Sequence, residues 1–310
     1  MKKNKLGSLD VSVLGIGCNN FGMKTEETES IKVVHASLDN GINFFDTADI
    51  YGATVSEKHL GEALKGRRDD AIIATKFGMQ VDESKKGAHP DYIKQAVEDS
   101  LQRLQTDYID LYQLHTPDDS VPIADTLGAL NDLVSAGKVK EIGCSNFSAK
   151  QLHEAHQASG TGAKFVSVQN EYSLLFRKDE AEVFPACEQL NIDYLPYFPL
   201  ANGMLTGKYR KGQPFPGGSR LESNEMFKQY YGHYFADEVL DKVEGLITYA
   251  GDHGHTILEL ALAWLLAQST VPSFTVGASS ADQAISNAAS INWDLTAEQV
   301  AEISQLAPAS

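Results

Sequence analysis

The chain has 310 residues, 42% of them hydrophobic and 22% charged, which excludes a disordered polymer and suits an α/β barrel, a fold that reaches this length as one domain. Its formal charge of −16 argues against nucleic acid and anionic membrane as partners, because both are held chiefly by surplus Lys and Arg. A small molecule is the expected partner.

In chain order, Met1-Lys2-Lys3-Asn4 leads into no hydrophobic signal core, so the expected location is the cytoplasm. Lys5-Leu6-Gly7-Ser8-Leu9 predicts a small hairpin that plugs one end of the fold. Short apolar runs predict strands at Leu14–Gly17, Asn43–Asp46, Ile72–Lys76, Ile109–His115, Val139–Ser145, Phe165–Gln169, Ile192–Tyr197 and Ser273–Val276. Helical patterns lie between them. Thr25 is expected to cap a helix carrying Ile31, Val34 and Leu38, which Gly41 stops. Pro90 opens a helix with Ile93, Val97, Leu101 and Leu104 on one side, and Leu127, Leu130 and Val134 repeat before Gly137. Thr256-Ile257-Leu258-Glu259 reads as a capping box, and Thr296-Ala297-Glu298-Gln299 opens a last helix. The longest apolar run, Ile257 to Ala267, contains Glu259 and is too short to span a bilayer.

Eight βα units predict a (β/α)₈ TIM barrel over residues 1–310, one domain, with a short N-terminal hairpin and a long loop after the seventh strand, from Leu200 to Asp237. An open doubly wound sheet is the alternative. It is weakened because Gly15-Ile16-Gly17 is followed by Asn20, which breaks the dinucleotide-binding glycine pattern. Cys18, Cys144 and Cys187 lie far apart without a C-x-x-C pair and read as buried thiols.

Three consecutive strands end in polar groups: Asp46 after Phe44-Phe45, Lys76 after Ile73-Ala74-Thr75, and His115 after Leu111-Tyr112-Gln113-Leu114, with Tyr51 on the loop after Asp46. Strand C-termini converge on one face of a barrel, so these four meet. They suit reduction of a carbonyl, which needs a hydride on carbon and a proton on oxygen. A tyrosine with a pKa of about 10 is a weak donor. A lysine within about 4 Å favours its phenolate by up to about 4 kcal/mol at an effective dielectric near 20. Asp46 would keep Lys76 charged and in place, and His115 would hydrogen bond the substrate oxygen. Singly each residue has an ordinary reading as a turn cap, rim aromatic, solvated strand end or satisfied imidazole. Together they form a catalytic set.

The segment from Gly41 through Phe45-Asp46-Thr47-Ala48-Asp49-Ile50-Tyr51-Gly52, with Ser56-Glu57 and Leu60-Gly61, closely resembles the signature of the aldo-keto reductases. So do Thr75-Lys76-Phe77-Gly78, Asp107 to His115, Gly143-Cys144-Ser145-Asn146-Phe147, Gln169-Asn170-Glu171-Tyr172 and Leu205-Thr206-Gly207-Lys208-Tyr209. The resemblance runs through nearly the whole chain in order. It implies a barrel that binds an extended nicotinamide dinucleotide across its strand ends, with NADPH preferred over NADH, and a catalytic tetrad of Asp46, Tyr51, Lys76 and His115. It further implies that Ser145, Asn146 and Gln169 bond the nicotinamide carboxamide, that Tyr197 stacks on its ring, and that Leu200 follows near the pyrophosphate. At the adenosine end it points to Gly277, Ser279, Gln283 and Asn287. Phe198 departs from the small polar residue usual after the stacking aromatic. No Lys or Arg lies between Val243 and Ser310, where members that prefer NADPH often carry one, so Lys208 and Arg210 are conceivable substitutes.

The implied activity is reversible reduction of an aldehyde or ketone, with Phe21, Tyr51 and the 200–237 segment, including His233, as pocket candidates. Two rival readings are a cofactor-sensing accessory subunit and a Schiff-base aldolase using Lys76. No metal is expected, since Asp252, His253 and His255 read as a solvated loop.

Overall fold

A computed structural model describes residues 1–214 and 232–309. The chain forms two compact units. The first comprises Met1–Asn170, Glu180–Tyr197 and Thr270–Ala289, and it holds the sheet.

The sequence opens with β1 (Lys3–Leu6) and β2 (Leu9–Ser12), an antiparallel hairpin turning at Gly7. Eight parallel strands follow: β3 (Leu14–Gly17), β4 (Phe44–Asp46), β5 (Ile72–Phe77), β6 (Ile109–Leu114), β7 (Val139–Ser145), β8 (Phe165–Glu171), β9 (Asp193–Tyr197) and β10 (Phe274–Gly277). Their order is β10-β3-β4-β5-β6-β7-β8-β9, and the chain between the outer strands is drawn together by the Tyr194 amide donating to the Thr270 carbonyl at 2.8 Å. The result is a nearly closed barrel with helices between its strands.

The helices of this unit are α1 (Glu27–Asp39), α2 (Val55–Ala63), α3 (Pro90–Leu104), α4 (Ile123–Ser135), α5 (Ala149–Ser159) and α6 (Val183–Leu190). A further helix covers Ala281–Ala289 and packs on α1. Two expectations about these helices are corrected. Glu26, not Thr25, stands at the α1 N-cap, and Thr25 is buried. On α4 the inward residues are Leu127, Leu130 and Leu133, while Val134 is half-buried. Each strand candidate lies within a residue or two of an observed strand.

The lower barrel is filled by Phe44, Ala74, Leu111 and Leu195 from four strands, packed with Leu6, Leu9 and Val11 of the hairpin. Hence the hairpin is a plug, as its apolar alternation suggests. Strand side chains repeat with period two, so two residues further along the same four strands, Asp46, Lys76, Gln113 and Tyr197 point into the same interior at its other end. The apolar plug therefore fixes which polar residues reach the mouth.

The second unit comprises Glu171–Asp179, Phe198–Ser269 and Ser290–Ser310. It contains a 3-10 stretch at Ala201–Thr206, another at Gly232–Phe235, and α7 (Asp237–Asp252), α8 (Ile257–Leu266) and, after the Ala281–Ala289 helix counted as α9, α10 (Ala297–Leu306). Thr256 makes the predicted capping box and Thr296 makes a second, each accepting from the amide three residues on. The histidines after α7 are not simply solvated. The His255 ring stacks on Trp293 at 4.1 Å and 9°, and His253 stacks on Tyr249 at 4.3 Å. Residues 215–231, and the His233 side chain, lie outside the described residues. Among the described residues no helix is long and apolar enough to cross a membrane.

Candidate active site

The turn after β4 carries the site. Asp46 ends the strand, the Thr47 amide donates to the Ala74 carbonyl at 2.8 Å, and the Asp49 amide donates to the Lys76 carbonyl at 3.0 Å. Tyr51 follows, and then Gly52, Ala53 and Thr54 adopt φ of +58°, +50° and +75°. At Gly52 a Cβ would lie 2.5 Å from the Phe21 carbonyl oxygen, so only glycine fits there. Ala53 and Thr54 at positive φ are costly and persist only where the surroundings over-determine them. Ser56 supplies that restraint: its hydroxyl donates to the Cys18 carbonyl at 2.8 Å and meets Thr47 Oγ1 at 2.9 Å, tying the two ends of the turn together.

Lys76 is fully buried on β5. Its Nζ donates to Asp46 Oδ2 at 2.7 Å and to the Thr47 carbonyl at 2.9 Å. An ammonium has three donors, so one is left toward Tyr51, whose ring centroid is 5.1 Å from the nitrogen. Asp46 Oδ1 accepts from Gln113 Nε2 and Gln169 Nε2, both at 3.2 Å. The ion pair is thus a buried charge pair with its remaining lone pairs satisfied, the condition under which such a pair is tolerated. Burial works to lower the Lys76 pKa, but Asp46 and Tyr51 together outweigh it and the net shift is upward. Lys76 is charged.

The Tyr51 and His115 rings meet edge to face, with centroids 5.8 Å apart. Burial is the largest influence on Tyr51 and raises its pKa above 10.0; Lys76 pulls the other way without cancelling it. This corrects the expected lowering: the phenol is a neutral, proton-bearing group, and Lys76 only limits the rise. Burial, with help from Lys76, lowers the His115 pKa from 6.5 to about 3, so its imidazole is neutral. Its Nδ1 is buried and has no hydrogen-bond partner among the described residues.

Four further residues are brought together beside this set. Asn146 has φ +62° at the end of β7, a conformation asparagine tolerates. Its Nδ2 donates to the His115 carbonyl at 2.9 Å and to Ser145 Oγ at 3.1 Å, and its Oδ1 accepts from the Tyr197 hydroxyl at 3.0 Å. Ser145 Oγ donates to the Gln169 carbonyl at 2.7 Å. An amide, a hydroxyl and a second amide offer both donors and acceptors, which fits a primary carboxamide, and a half-buried tyrosine ring stands next to them. Such a ligand would exchange partners with the Tyr197–Asn146 bond rather than find idle groups.

Gly277, Ser279, Gln283 and Asn287 cluster at the end of β10 and on α9. Ser279 donates from its amide and hydroxyl to Gln283 Oε1 at 2.8 and 3.0 Å, and Asn287 Nδ2 donates to the Gly277 carbonyl at 3.4 Å. Glu29 of α1 accepts from the Ala281 amide at 3.4 Å, so a carboxylate already faces the α9 N-terminus. Leu200 belongs to the second unit, at the head of the Ala201–Thr206 stretch, where Phe198 has φ +51°. Arg210 is paired with Glu244 there at 2.6 Å. Phe21, offered as a pocket residue, is fully buried.

Sequence reasoning missed Gln113, which bonds Asp46 directly. It also missed a second buried network behind the Tyr51 turn. Glu57, fully buried on α2, accepts from Thr75 Oγ1 and Arg103 Nε, both at 2.6 Å, and Asp49 accepts from the Tyr92 hydroxyl at 3.4 Å. The signal for Gln113 was present, because it lies two residues before His115 on the same strand face. Glu57 and Arg103 sit on helices, 46 residues apart, and no local pattern joins them.

Residues 13–308 match the family described as the Aldo/keto reductase family. The chain is 38% identical over 274 residues to a probable aldo-keto reductase 1 from Glycine max, a match covering 85% of this chain and 77% of that protein. Among solved structures it is similar to the aldo-keto reductase AKR11C1 from Bacillus halodurans in its holo form, with TM-score 0.81, 34% identity, and coverage of 100% of this chain and 97% of that one. It is also similar to the glycerol dehydrogenase AKR11B4 from Gluconobacter oxydans, with TM-score 0.83, 28% identity, and coverage of 98% and 94%.

Proposed function

Because this chain belongs to the aldo/keto reductase family, whose members are NAD(P)H-dependent oxidoreductases, we propose that it reversibly reduces an aldehyde or ketone to the alcohol, with Tyr51 as the proton donor. A reduced nicotinamide, when bound, would supply the hydride that the carbonyl carbon needs. The Tyr51 O–H gives its proton to the carbonyl oxygen, and the charge left on the phenolate is met by Lys76. Asp46 positions Lys76 and keeps it charged, with Gln113 and Gln169 steadying its other oxygen. His115, neutral, donates one ring N–H to the substrate oxygen as negative charge gathers there. In the reverse direction the phenolate takes the alcohol proton.

The observation that carries this reading is the buried ammonium of Lys76, bonded to Asp46 at 2.7 Å, directed at a phenol that burial keeps protonated. A Schiff-base role for Lys76 is disfavoured by the same geometry, since an imine requires the neutral amine. Ser145, Asn146, Gln169 and Tyr197 would hold the nicotinamide end, and Leu200, Gly277, Ser279, Gln283 and Asn287 the remainder. We take NADPH as preferred over NADH, its 2′-phosphate received by Ser279, by Ser280, whose Oγ accepts from the Gln283 amide at 3.2 Å, and by the α9 N-terminus, with the carboxylate of Glu29 narrowing the margin. Residues 1–310 act in this reading as one catalytic domain, in the cytoplasm, on a small carbonyl or alcohol. The test is a panel of aldehydes, ketones and alcohols assayed with each nicotinamide cofactor. Cofactor turnover with at least one carbonyl compound is expected, and its absence across the panel would reject the function.

A further inference from the structure

The turn that carries Tyr51 holds a second carboxyl, Asp49, which has no part in the reaction as described above. Asp49 is 2% exposed. Its Oδ2 accepts from the Tyr92 hydroxyl of α3 at 3.4 Å, while Oδ1 is buried without a hydrogen-bond partner of normal geometry among the described residues. Its backbone amide holds the Lys76 carbonyl at 3.0 Å. Asp49 is therefore attached on one side to the strand end bearing the ammonium and on the other to the turn bearing the phenol.

Among the described residues Asp49 makes no ion pair. Arg103, the cation that acts on Asp49, is bonded to Glu57 at 2.6 Å and to Ser100 Oγ at 3.1 Å. An ionised Asp49 would be a buried charge facing a second buried carboxylate, with one oxygen unsatisfied, an expensive state. A neutral carboxyl avoids the repulsion and gains an O–H donor.

Resting on the reductase reading, we propose that Asp49 is a positioning residue for the reaction: as a neutral carboxyl it lets the strained turn pack with Tyr51 beside Lys76, and ionisation, which puts a second buried charge beside Glu57, drives the turn out of that packing.

The groups acting on Asp49 are the Ile50 amide of its own turn, Glu57 from α2, Arg103 and Tyr92 from α3, and Tyr112 from β6; the ammonium of Lys76 on β5 is engaged by Asp46 and Thr47. Burial and then the charge of Glu57 raise the Asp49 pKa from 3.8 to about 7, against the opposing pull of Arg103, the Ile50 amide and the Tyr92 hydroxyl. Release of the turn thus falls within an accessible range of pH. The strain after Tyr51, where Ala53 and Thr54 hold positive φ, gives the turn a reason to move once a buried charge opposes its packing.

The experiment compares wild type, Asp49→Asn and Asp49→Leu in two readouts. Backbone hydrogen exchange of the 47–54 segment, corrected for intrinsic rates, needs no turnover. Wild type is expected to be protected at pH 5 and to lose protection progressively as pH rises to about 7, Asp49→Asn to stay protected throughout, and Asp49→Leu, which lacks both oxygens, at neither end. The second readout is kcat against pH with NADPH and benzaldehyde, or whichever carbonyl of the panel is turned over. Wild-type kcat should fall roughly tenfold per pH unit beyond the midpoint, as one ionisation requires. Asp49→Asn should lack that limb, so that it exceeds wild type at pH 8. Equal exchange in all three proteins, or an Asp49→Asn profile with the wild-type limb, overturns the proposal. If no carbonyl is turned over by wild type the reductase reading falls, and the exchange result still decides whether Asp49 holds the turn.

Discussion

Replacing Asp46 by Asn tests the electrostatic centre of the site without removing any residue that touches substrate. The Asp46 and Lys76 side chains are 6% and 0% exposed. In the variant, the ammonium keeps its bond to Thr47 but loses its counter-charge. The new amide also cannot serve every neighbour: its Oδ1 accepts either from Lys76 or from the two glutamines, and its Nδ2 then faces donors on the other side. Removing one partner of a buried pair costs about 3–5 kcal/mol, a large part of the roughly 5–15 kcal/mol that holds a domain together. Urea unfolding at pH 7 reads this as a lower midpoint at unchanged slope. The pH dependence is more diagnostic. In wild type the folded pKa of Lys76 is raised, so its contribution is complete below the unfolded value of about 10.4 and is lost as pH rises through the folded one. In Asp46→Asn burial dominates and depresses the folded pKa. The unfolded chain then binds more protons, and the deficit shrinks as pH rises toward about 10. A deficit below about 1 kcal/mol with no alkaline recovery would match an exposed pair and refute the reasoning.

Further outcomes follow from the same geometry. His115, with its pKa lowered to about 3, binds protons more readily when unfolded between that value and 6.5; its contribution to stability is lost as pH falls through this window, and imidazole NMR signals should report a neutral His115 at pH 5. Leu6→Ala, at a fully buried position in the barrel plug, should cost about 2–5 kcal/mol in urea unfolding while leaving the Km for the carbonyl substrate unchanged. Ser279→Ala should weaken NADPH binding more than NADH binding in fluorescence titrations, and Glu29→Gln should do the reverse; equal affinities in both variants would remove these residues from the adenosine site.

The barrel was legible because its strands are short apolar runs with polar final residues, and because the glycines and capping boxes mark the helix ends. Asp46, Lys76 and His115 stood out for one physical reason: each is a polar residue closing an otherwise apolar strand. The same period-two logic also marks Gln113, but a neutral amide draws less notice than a charge. What sequence could not supply was the balance of opposing influences. The attraction of Lys76 for a phenolate was foreseeable from its place on the next strand, yet the burial that outweighs it at Tyr51 depends on packing of the whole turn. Asp49 was hidden for a related reason. Its neighbours Glu57, Tyr92 and Arg103 arrive from two helices, and an acid at a turn reads from sequence as exposed. Thr25 failed as a cap because it is buried one residue too early, with Glu26 at the α1 start instead.

Tyr51→Phe removes one oxygen from the centre of this account and little else. Stopped-flow measurement of NADPH oxidation by the variant, alongside dinucleotide binding by fluorescence, should find turnover abolished and binding retained. Turnover near the wild-type rate with a carbonyl that wild type reduces would mean that the proton comes from elsewhere.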